Sequence, residues 1–359
     1  MGLIRKRDKM RLNEEQQNFV NATEDKILLM AGAGAGKTAS IVEKTKKIVD
    51  EGTDPAKVVV LTFTNMATDE LRKRLSGYPV QIYTIHGYCN YLLLAAGHNT
   101  FDFLNDDKFD RLFSLIKKYP ECAKEVDFLL LDEGHDTDKN QFEFIFDIVK
   151  PKKWCVVADI KQTIYEWRGA YPQYILDLLD DEEVAIYNLS YNYRCKKNIL
   201  NFAKRLILKL GYEYEDVSVA VNSGGKVYEA EYSLNAVAQV IHQDGNFKDW
   251  FVLTRSNNEI AQIGELFDKA HIPYTTFKQG DITLEQLNEE LKKDQVLVLT
   301  VHSAKGLERP KVAAVGMAPW WNKKEEETRV NYVAATRAKD LLIWMPAAPR
   351  KKKQTMNWE

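Results

Sequence analysis

Residues 31–38 read AGAGAGKT and follow the apolar run ILLM at 27–30. Side chains this small at Ala31, Gly32, Ala33, Gly34, Ala35 and Gly36 let backbone N–H groups converge on phosphate oxygens. The segment after them, TASIVEKTKKIV, has a helical pattern whose positive end would point at the same place. Lys37 is then placed to neutralise the β- and γ-phosphates of ATP, Thr38 to ligate Mg²⁺, and Ala39 to open the helix beside them. A plain small-residue turn is the competing reading, but a strand before, a helix after and GKT in register favour the nucleotide. Ala31 stands where the GxxxxGK[ST] pattern has glycine, a tolerated variant. About 95 residues later FLLLDEGHD ends an apolar run in two acids. At the C-terminal edge of a sheet Asp132 can hold the same Mg²⁺, and Glu133 can orient or deprotonate a water. An apolar run followed by two acids is common, so this motif draws its weight from sharing a sheet with AGAGAGKT.

Those groups need parallel strands to carry them. Short apolar runs at 27–30, 58–63, 128–133, 154–159 and 185–190 alternate with helical patterns, as strands buried on both faces do. A second series occupies 226–230, 250–254, 295–301, 311–316 and 341–345, with a helical segment at 258–270. The pattern predicts two α/β units, and 359 residues suit two domains better than one. Composition is that of an ordinary water-soluble chain, 45% hydrophobic and 28% charged, without a stretch of about 20 apolar residues that would span a bilayer. MGLIRKRDKMR does not read as a secretory signal, and the four cysteines Cys89, Cys122, Cys155 and Cys195 lie far apart. The expectation is a cytosolic protein with reduced, packed cysteines and no membrane contact. A net charge of −2 gives no global pull on nucleic acid, so any contact with a polyanion must be local. The basic clusters Arg5–Arg7 and Arg350–Lys353 read as solvated tails.

Further motifs then arrive in order: LNEEQQNFV (12–20), VLTFTNMATDEL (60–71), YTIHGYC (83–89), DEGHDTDKNQ (132–141), DIKQTIYEWRGA (159–170), LSYNYRCKKNIL (189–200), TVHSAKGLE (300–308) and EEETRVNYVAATRAK (325–339). Together they resemble the UvrD/Rep-type superfamily 1 DNA helicases over nearly the whole chain. The resemblance implies two tandem RecA-like domains of P-loop NTPase type, with ATP in the cleft between them. The N-terminal domain would cover 1–190, with a small helical insertion at about 91–125; the C-terminal domain would cover 191–346, and a basic tail 347–359. By resemblance, Gln16 reads adenine and Tyr193 stacks on it. A planar, permanently charged guanidinium suits a transferring phosphoryl group. Arg194 and Arg337 match the family's arginine fingers, while Arg168 matches the residue linking the γ-phosphate region to the DNA-contacting motif, with Gln162 as nucleotide sensor. Phe63, Tyr165 and Trp167 resemble base-stacking aromatics, which tolerate any sequence. Thr62, Asn65, His86 and His302 fall where the family contacts the strand backbone. Glu308 resembles an acid near ribose or phosphate, whereas Glu326, Glu327 and Arg329 read as the first turn of the helix that delivers Arg337.

The sequence also departs from the family. His135 stands where Gln is usual, which affects coupling more than hydrolysis, and Ile160 and Lys161 replace small or acidic residues near the Mg²⁺. Only about 40 residues separate Cys89 from Asp132, so the large accessory insertions should be absent or vestigial, an economy suggestive of a phage or mobile element. The implied activity is ATP-driven translocation on single-stranded DNA, 3′ to 5′, opening tailed duplex in replication, repair or recombination, in a nucleoid-associated setting and with a protein partner for processivity. Two alternatives stay open: a DNA-stimulated ATPase that remodels protein–DNA complexes without processive unwinding, and a nucleotide-gated binding module. Intact Lys37, Asp132, Glu133, Arg194 and Arg337 argue against the last.

Overall fold

The computed structural model describes residues 12–105, 109–210, 218–278, 281–318 and 324–347. Both basic end clusters, and all of the tail beyond Ala347, lie outside the described residues. The chain divides into two compact units, one ending at Asn192 and the other beginning at Tyr193. Each is an α/β unit built on a six-stranded sheet whose recorded pairings are all parallel.

In unit 1 the strands are β1 (Lys26–Ala31), β2 (Val58–Thr62), β3 (Gln81–Thr84), β4 (Phe128–Leu131), β5 (Lys153–Ala158) and β6 (Ala185–Leu189), in spatial order β3-β2-β4-β5-β1-β6. β2 and β4 are buried at every position, the continuous apolar run that a sheet covered on both faces requires. The expected strands match five of these. β3 was not anticipated from the sequence, because QIYT is four residues long and only Ile82 in it is buried. The helices are α1 (Glu14–Asn21), α2 (Lys37–Asp50), α3 (Asn65–Arg74), α4 (Ile85–Ala95), α5 (Phe101–Asn105), α6 (Asp110–Ile116), α7 (Lys139–Glu143) and α8 (Gln173–Asp180). The short α5 and α6, with the end of α4, occupy the place of the expected insertion.

Two devices join α1 to α2, the helices that carry Gln16 and Lys37. Lys44 of α2 is buried, and its ammonium donates to the carbonyls of Val20 (3.4 Å) and Ala22, at the end of α1 where helix carbonyls lack partners. Burial lowers the pKa of Lys44. Phe19 packs beneath, with the Lys44 ammonium 5.8 Å from its ring centroid.

Unit 2 holds β7 (Lys226–Glu229), β8 (Trp250–Thr254), β9 (Tyr274–Thr275), β10 (Val296–Thr300), β11 (Arg309–Met317) and β12 (Ala338–Pro346), in order β9-β10-β8-β11-β12-β7. Its helices are α9 (Lys197–Ile207), α10 (Leu234–Asp244), α11 (Asn257–Lys269), α12 (Leu284–Glu290) and α13 (Glu325–Ala335). Ser256 and Glu259 form a capping box on α11, satisfying backbone donors that would otherwise be orphaned there. All four cysteines are free and buried, and among the described residues no helix is long and apolar enough to cross a membrane.

The unit 1 core rests on β4, flanked by β2 and β5. Leu130 at its centre is fully buried. Leu130→Ala should cost roughly 2–5 kcal/mol, the range for emptying a leucine site in a packed core. The check is a lower midpoint in denaturant unfolding followed by tryptophan fluorescence, at unchanged slope.

Candidate active site and strand surface

Apart from Gln16, on α1 ahead of the first strand, the expected functional segments of unit 1 lie at the C-terminal ends of strands. The phosphate loop follows β1, Phe63 follows β2, His86 follows β3, Asp132 follows β4 and the 159–168 segment follows β5. Because β4, β5 and β1 are neighbours, the two acids, the 159–162 turn and the loop emerge side by side.

In the loop, Gly34 (φ 69°) and Gly36 (φ 87°) take left-handed backbone conformations that a side chain would strain. Ala31, Ala33 and Ala35 are buried between them, and Gly32 with them. Gly36 is also crowded, since a Cβ there would lie 2.5 Å from Gln16 Nε2. Gln16 closes over the loop: its Nε2 donates to the carbonyl of Ala35 (3.1 Å), and its Oε1 accepts from the N–H of Asn13 (3.0 Å) in the capping box of α1. Both ends of the amide expected to read adenine are thus engaged within the protein. Asn192, which sequence reasoning passed over, holds the same loop from the other side by donating to the carbonyl of Ala33 (2.6 Å).

Lys37 opens α2, followed by Thr38 and Ala39, both partly exposed. The Lys37 ammonium lies 3.4 Å from Glu133 Oε2. Glu133 has φ 53° and ψ 40°, an unusual backbone conformation for a glutamate and of the kind that clusters at functional sites. Asp132 is buried beside it, and its Oδ1 accepts from the Glu133 N–H (2.9 Å). Burial raises the pKa of Asp132, the adjacent Glu133 charge raises it further, and Lys37 pulls the other way. A carboxylate in that position calls for a cation to remain ionised. Asp132, with Thr38 at the head of α2, is therefore a fitting donor set for a Mg²⁺ ion, a hard cation that takes oxygen ligands.

His135 turns out to be central. It is buried, its Nδ1 accepts the N–H of Asp159 (3.0 Å), and its Nε2 lies 3.2 Å from Glu133 Oε2. A ring nitrogen that accepts cannot carry a proton, so this arrangement assigns the hydrogen to Nε2, from which it donates to Glu133. Asp159 was also missed, although the sequence ADIKQ had been noted. Its carboxylate accepts from Gln162 Nε2 (2.7 Å) and from the N–H of Lys161 (3.2 Å), while the Lys161 ammonium is 3.9 Å away. Thr163 Oγ1 donates to the carbonyl of His135 (3.3 Å), and Ile160 is fully buried. One chain of contacts therefore runs from Lys37 through Glu133 and His135 to Asp159 and Gln162.

Beyond Gln162 the chain reaches the aromatic group. Phe63 stacks on Tyr165 with centroids 5.3 Å apart, and Arg168 lies over Trp167 (4.7 Å) and Tyr165 (5.7 Å). Trp167 is 64% exposed whereas Tyr165 is 2% exposed, so Tyr165 backs the group and Trp167 presents its ring at the surface. The structure places Arg168 with these aromatics. Thr62 is buried, with its hydroxyl shared between the Thr64 carbonyl (3.0 Å) and Thr68 Oγ1 (2.8 Å), whereas Asn65 is exposed at the start of α3. His86 packs against Phe113 (5.0 Å) and Phe109 (5.8 Å) of the α6 region; burial lowers its pKa, and Asp138 and Asp110 act in the opposite sense.

In unit 2 the candidates fall at two ends of the sheet. Glu308 and Arg337 immediately precede β11 and β12, whereas partly exposed His302 follows β10. Arg194 Nε donates to Glu308, and its Nη1 to the carbonyl of Thr336 (3.3 Å). Glu308 also meets Lys339 (2.8 Å). Burial opposes the Glu308 charge, but Arg194 and Lys339 outweigh it and hold its pKa below the usual carboxylate value. Arg337 is 1% exposed and donates to the carbonyls of Val333 (3.0 Å) and Leu307 (3.3 Å) and to Thr336 Oγ1 (3.2 Å). Serving as a finger would require it to leave these partners. Tyr193 is exposed, as a stacking residue must be. Arg329 is fully buried and pairs with Glu325 at 3.5 Å, and Glu327 accepts both bonds from Arg255 Nη2 at 2.6 and 2.7 Å. These two are packed parts of unit 2, not a solvated first turn.

His135→Ala removes the donor that orients Glu133. Its kcat for ATP should fall roughly 10- to 100-fold, as for the loss of a residue that orients a catalytic group, with KM changed by less than about 3-fold. His135→Gln, which retains one donor and one acceptor, should recover most of the rate. Steady-state kinetics of the two variants check this.

Comparison with known proteins agrees with this layout. The model of the UvrD/REP helicase N-terminal domain matches residues 12–121 and 110–183, and that of the UvrD-like helicase C-terminal domain matches 187–283 and 280–347. A relative named ATP-dependent DNA helicase PcrA, from Staphylococcus epidermidis, is 25% identical over 369 aligned residues, covering 74% of this chain and 50% of that protein. PcrA of Staphylococcus aureus strain Mu50 is also 25% identical, over 370 residues with the same coverage. A protein named probable DNA helicase, from Mycoplasma pneumoniae, is 24% identical over 454 residues, covering 92% of this chain and 82% of its own. The chain thus spans about half the length of its PcrA relatives. With both of the family's domains matched in order along most of its length, this chain belongs to the UvrD/REP helicase family.

Proposed function

We propose that the protein is an ATP-dependent DNA helicase that moves 3′ to 5′ along single-stranded DNA and opens tailed duplex. The observation that carries this reading is the chain of contacts from Lys37 and Glu133 through His135 and Asp159 to the segment bearing Trp167. It supplies a physical route by which events at the phosphates bear on a base-stacking surface within one rigid sheet edge. The PcrA relatives, named ATP-dependent DNA helicases, support the same substrate class.

In this reading Lys37 and the N–H groups of residues 32–36 hold the terminal phosphates. Mg²⁺, when bound at Thr38 and Asp132, supplies neutralising charge to those phosphates. Glu133 orients the attacking water and takes its proton. Donation from His135 and the approach of Lys37 keep that carboxylate in one orientation. Arg194 and Arg337 serve the charge that develops on the transferring phosphoryl group, a role worth about 10³–10⁵ in rate. Trp167 and Phe63 stack on bases without reading them, as movement along any sequence requires. Replication, repair or recombination would be the setting, in the cytoplasm at the nucleoid, with a protein partner supplying processivity.

A second reading has its own observation. Between α4 and β4, where the family's accessory insertion would sit, the described residues form only the short α-helices α5 and α6, which favours a DNA-stimulated ATPase that remodels protein–DNA complexes without processive unwinding. Strand displacement on duplexes with a 3′ or a 5′ tail separates the two. The helicase predicts ATP-dependent displacement from the 3′ tail; stimulated ATP turnover without displacement from either tail sinks it and leaves the remodelling ATPase. Replacing Glu133 by Gln should lower kcat by about 10²–10⁴-fold with ATP still bound, as expected for loss of a general base. Unchanged turnover in that variant would mean that Glu133 is not the base.

A further inference from the structure

A second cationic and aromatic group lies on unit 1, apart from the residues discussed above. Tyr83 of the edge strand β3 stacks on Tyr91 of α4, with centroids 5.2 Å apart and planes at 19°. Fully buried Tyr88 supports both rings from behind, at 5.7 Å from Tyr83 and 6.2 Å from Tyr91. A cation lies against each ring. The guanidinium of Arg72 is 5.9 Å from the Tyr83 centroid and is anchored by donation to the carbonyl of Ile82 (2.7 Å). The Lys124 ammonium is 4.7 Å from the Tyr91 centroid and 2.9 Å from its hydroxyl oxygen.

The two tyrosines are partly exposed, and both cations are exposed. Burial and then Tyr91 raise the pKa of the Tyr83 phenol, while Arg72 and Lys124 act in the opposite sense. Asp69 sits 3.5 Å from Arg72, and Glu125, next to Lys124 in the chain, is held by Lys57 and Lys152. The protein as a whole is weakly acidic, so a positive patch built on rigid rings is a local feature. Its position also matters. Tyr83 pairs in register with Leu61, two residues before Phe63, and lies three residues before His86, which is in the first turn of α4. Tyr83 therefore ties the patch to the strand ends that carry the expected DNA contacts, and Arg72 late in α3, Tyr91 in α4 and Lys124 ahead of β4 extend it away from them.

We propose that Arg72, Tyr83, Tyr91 and Lys124 form a binding site for the sugar–phosphate backbone of a DNA single strand, extending the track beyond Phe63 and His86. The exposed cations contact phosphates and the tyrosine hydroxyls add polar contacts, while the stacked rings fix the spacing. Such a site is indifferent to sequence and supplies binding that depends steeply on salt. The inference rests on the reading that a single strand crosses the C-terminal edge of the unit 1 sheet.

The test is fluorescence anisotropy of the full chain with labelled oligothymidylates of about 8 and about 24 nucleotides over a salt series. Arg72→Gln/Lys124→Gln should weaken binding of the long strand about 10-fold or more and reduce the log–log salt slope by about 1 to 2, leaving the short strand unaffected. Lys124→Gln alone, at an exposed position, should show about half of the slope change, and Arg72→Lys should retain wild-type binding. ATP turnover at saturating short strand should stay unchanged. Wild-type affinity and slope in the double variant, with its thermal unfolding unaltered, would overturn the site. Failure of the wild type to bind either oligonucleotide would instead overturn the proposed DNA-dependent function itself.

Discussion

A pair of adjacent carboxylates at the end of a buried strand is the constraint on which unit 1 depends. Water would favour both charges, but burial of Asp132 removes that support and the neighbouring Glu133 makes matters worse. The fold answers with Lys37 and His135, each within 3.4 Å of Glu133. Neither would be there without parallel strands that end at one edge, or without a helix that begins at a left-handed glycine. Glu133 meets both donors from a left-handed backbone conformation that is rare for a glutamate. What looks like local strain is a consequence of aiming one carboxylate between two donors.

The same economy extends outward along the sheet edge. His135 uses one nitrogen for Glu133 and the other for Asp159, and Asp159 in turn holds Gln162. A few residues on, Tyr165 is buried under Phe63 and leaves Trp167 outside. Burial gives way to exposure over three residues, from Tyr165 to Trp167, so the exposed ring stands on packed neighbours. In unit 2, Arg194, Glu308 and Lys339 satisfy one another, and Arg337 is anchored to backbone oxygens. An unpaired buried guanidinium is costly, and these partners relieve Arg337 of that cost.

Much of this was legible in the sequence. The apolar runs located ten of the twelve strands in the two six-stranded sheets, most of them buried on both faces and so leaving an unbroken record; β3 and β9, at four and two residues, were too short to do so. The phosphate loop could be read because only small residues permit its backbone conformations. His135 was noticed as a departure, yet its contact with Glu133 depends on the backbone turn at residue 133, which no spacing rule encodes. Asn192 and Asp159 were missed for a related reason: their partners are backbone groups of Ala33 and a turn that forms only once β5 is in place. Tyr83 and Tyr91 lie eight positions apart, on a strand and a helix, where neither period relates them. Their stacking is a product of tertiary packing.

The central claim is that phosphate chemistry at Lys37 and Glu133 answers to a strand held at the same sheet edge. Steady-state ATP turnover of the intact chain, measured with and without saturating single-stranded DNA, tests it most directly. The account predicts that DNA raises kcat by at least about tenfold, a difference of roughly 1.4 kcal/mol or more in the barrier. Turnover that is the same with and without the strand would contradict it.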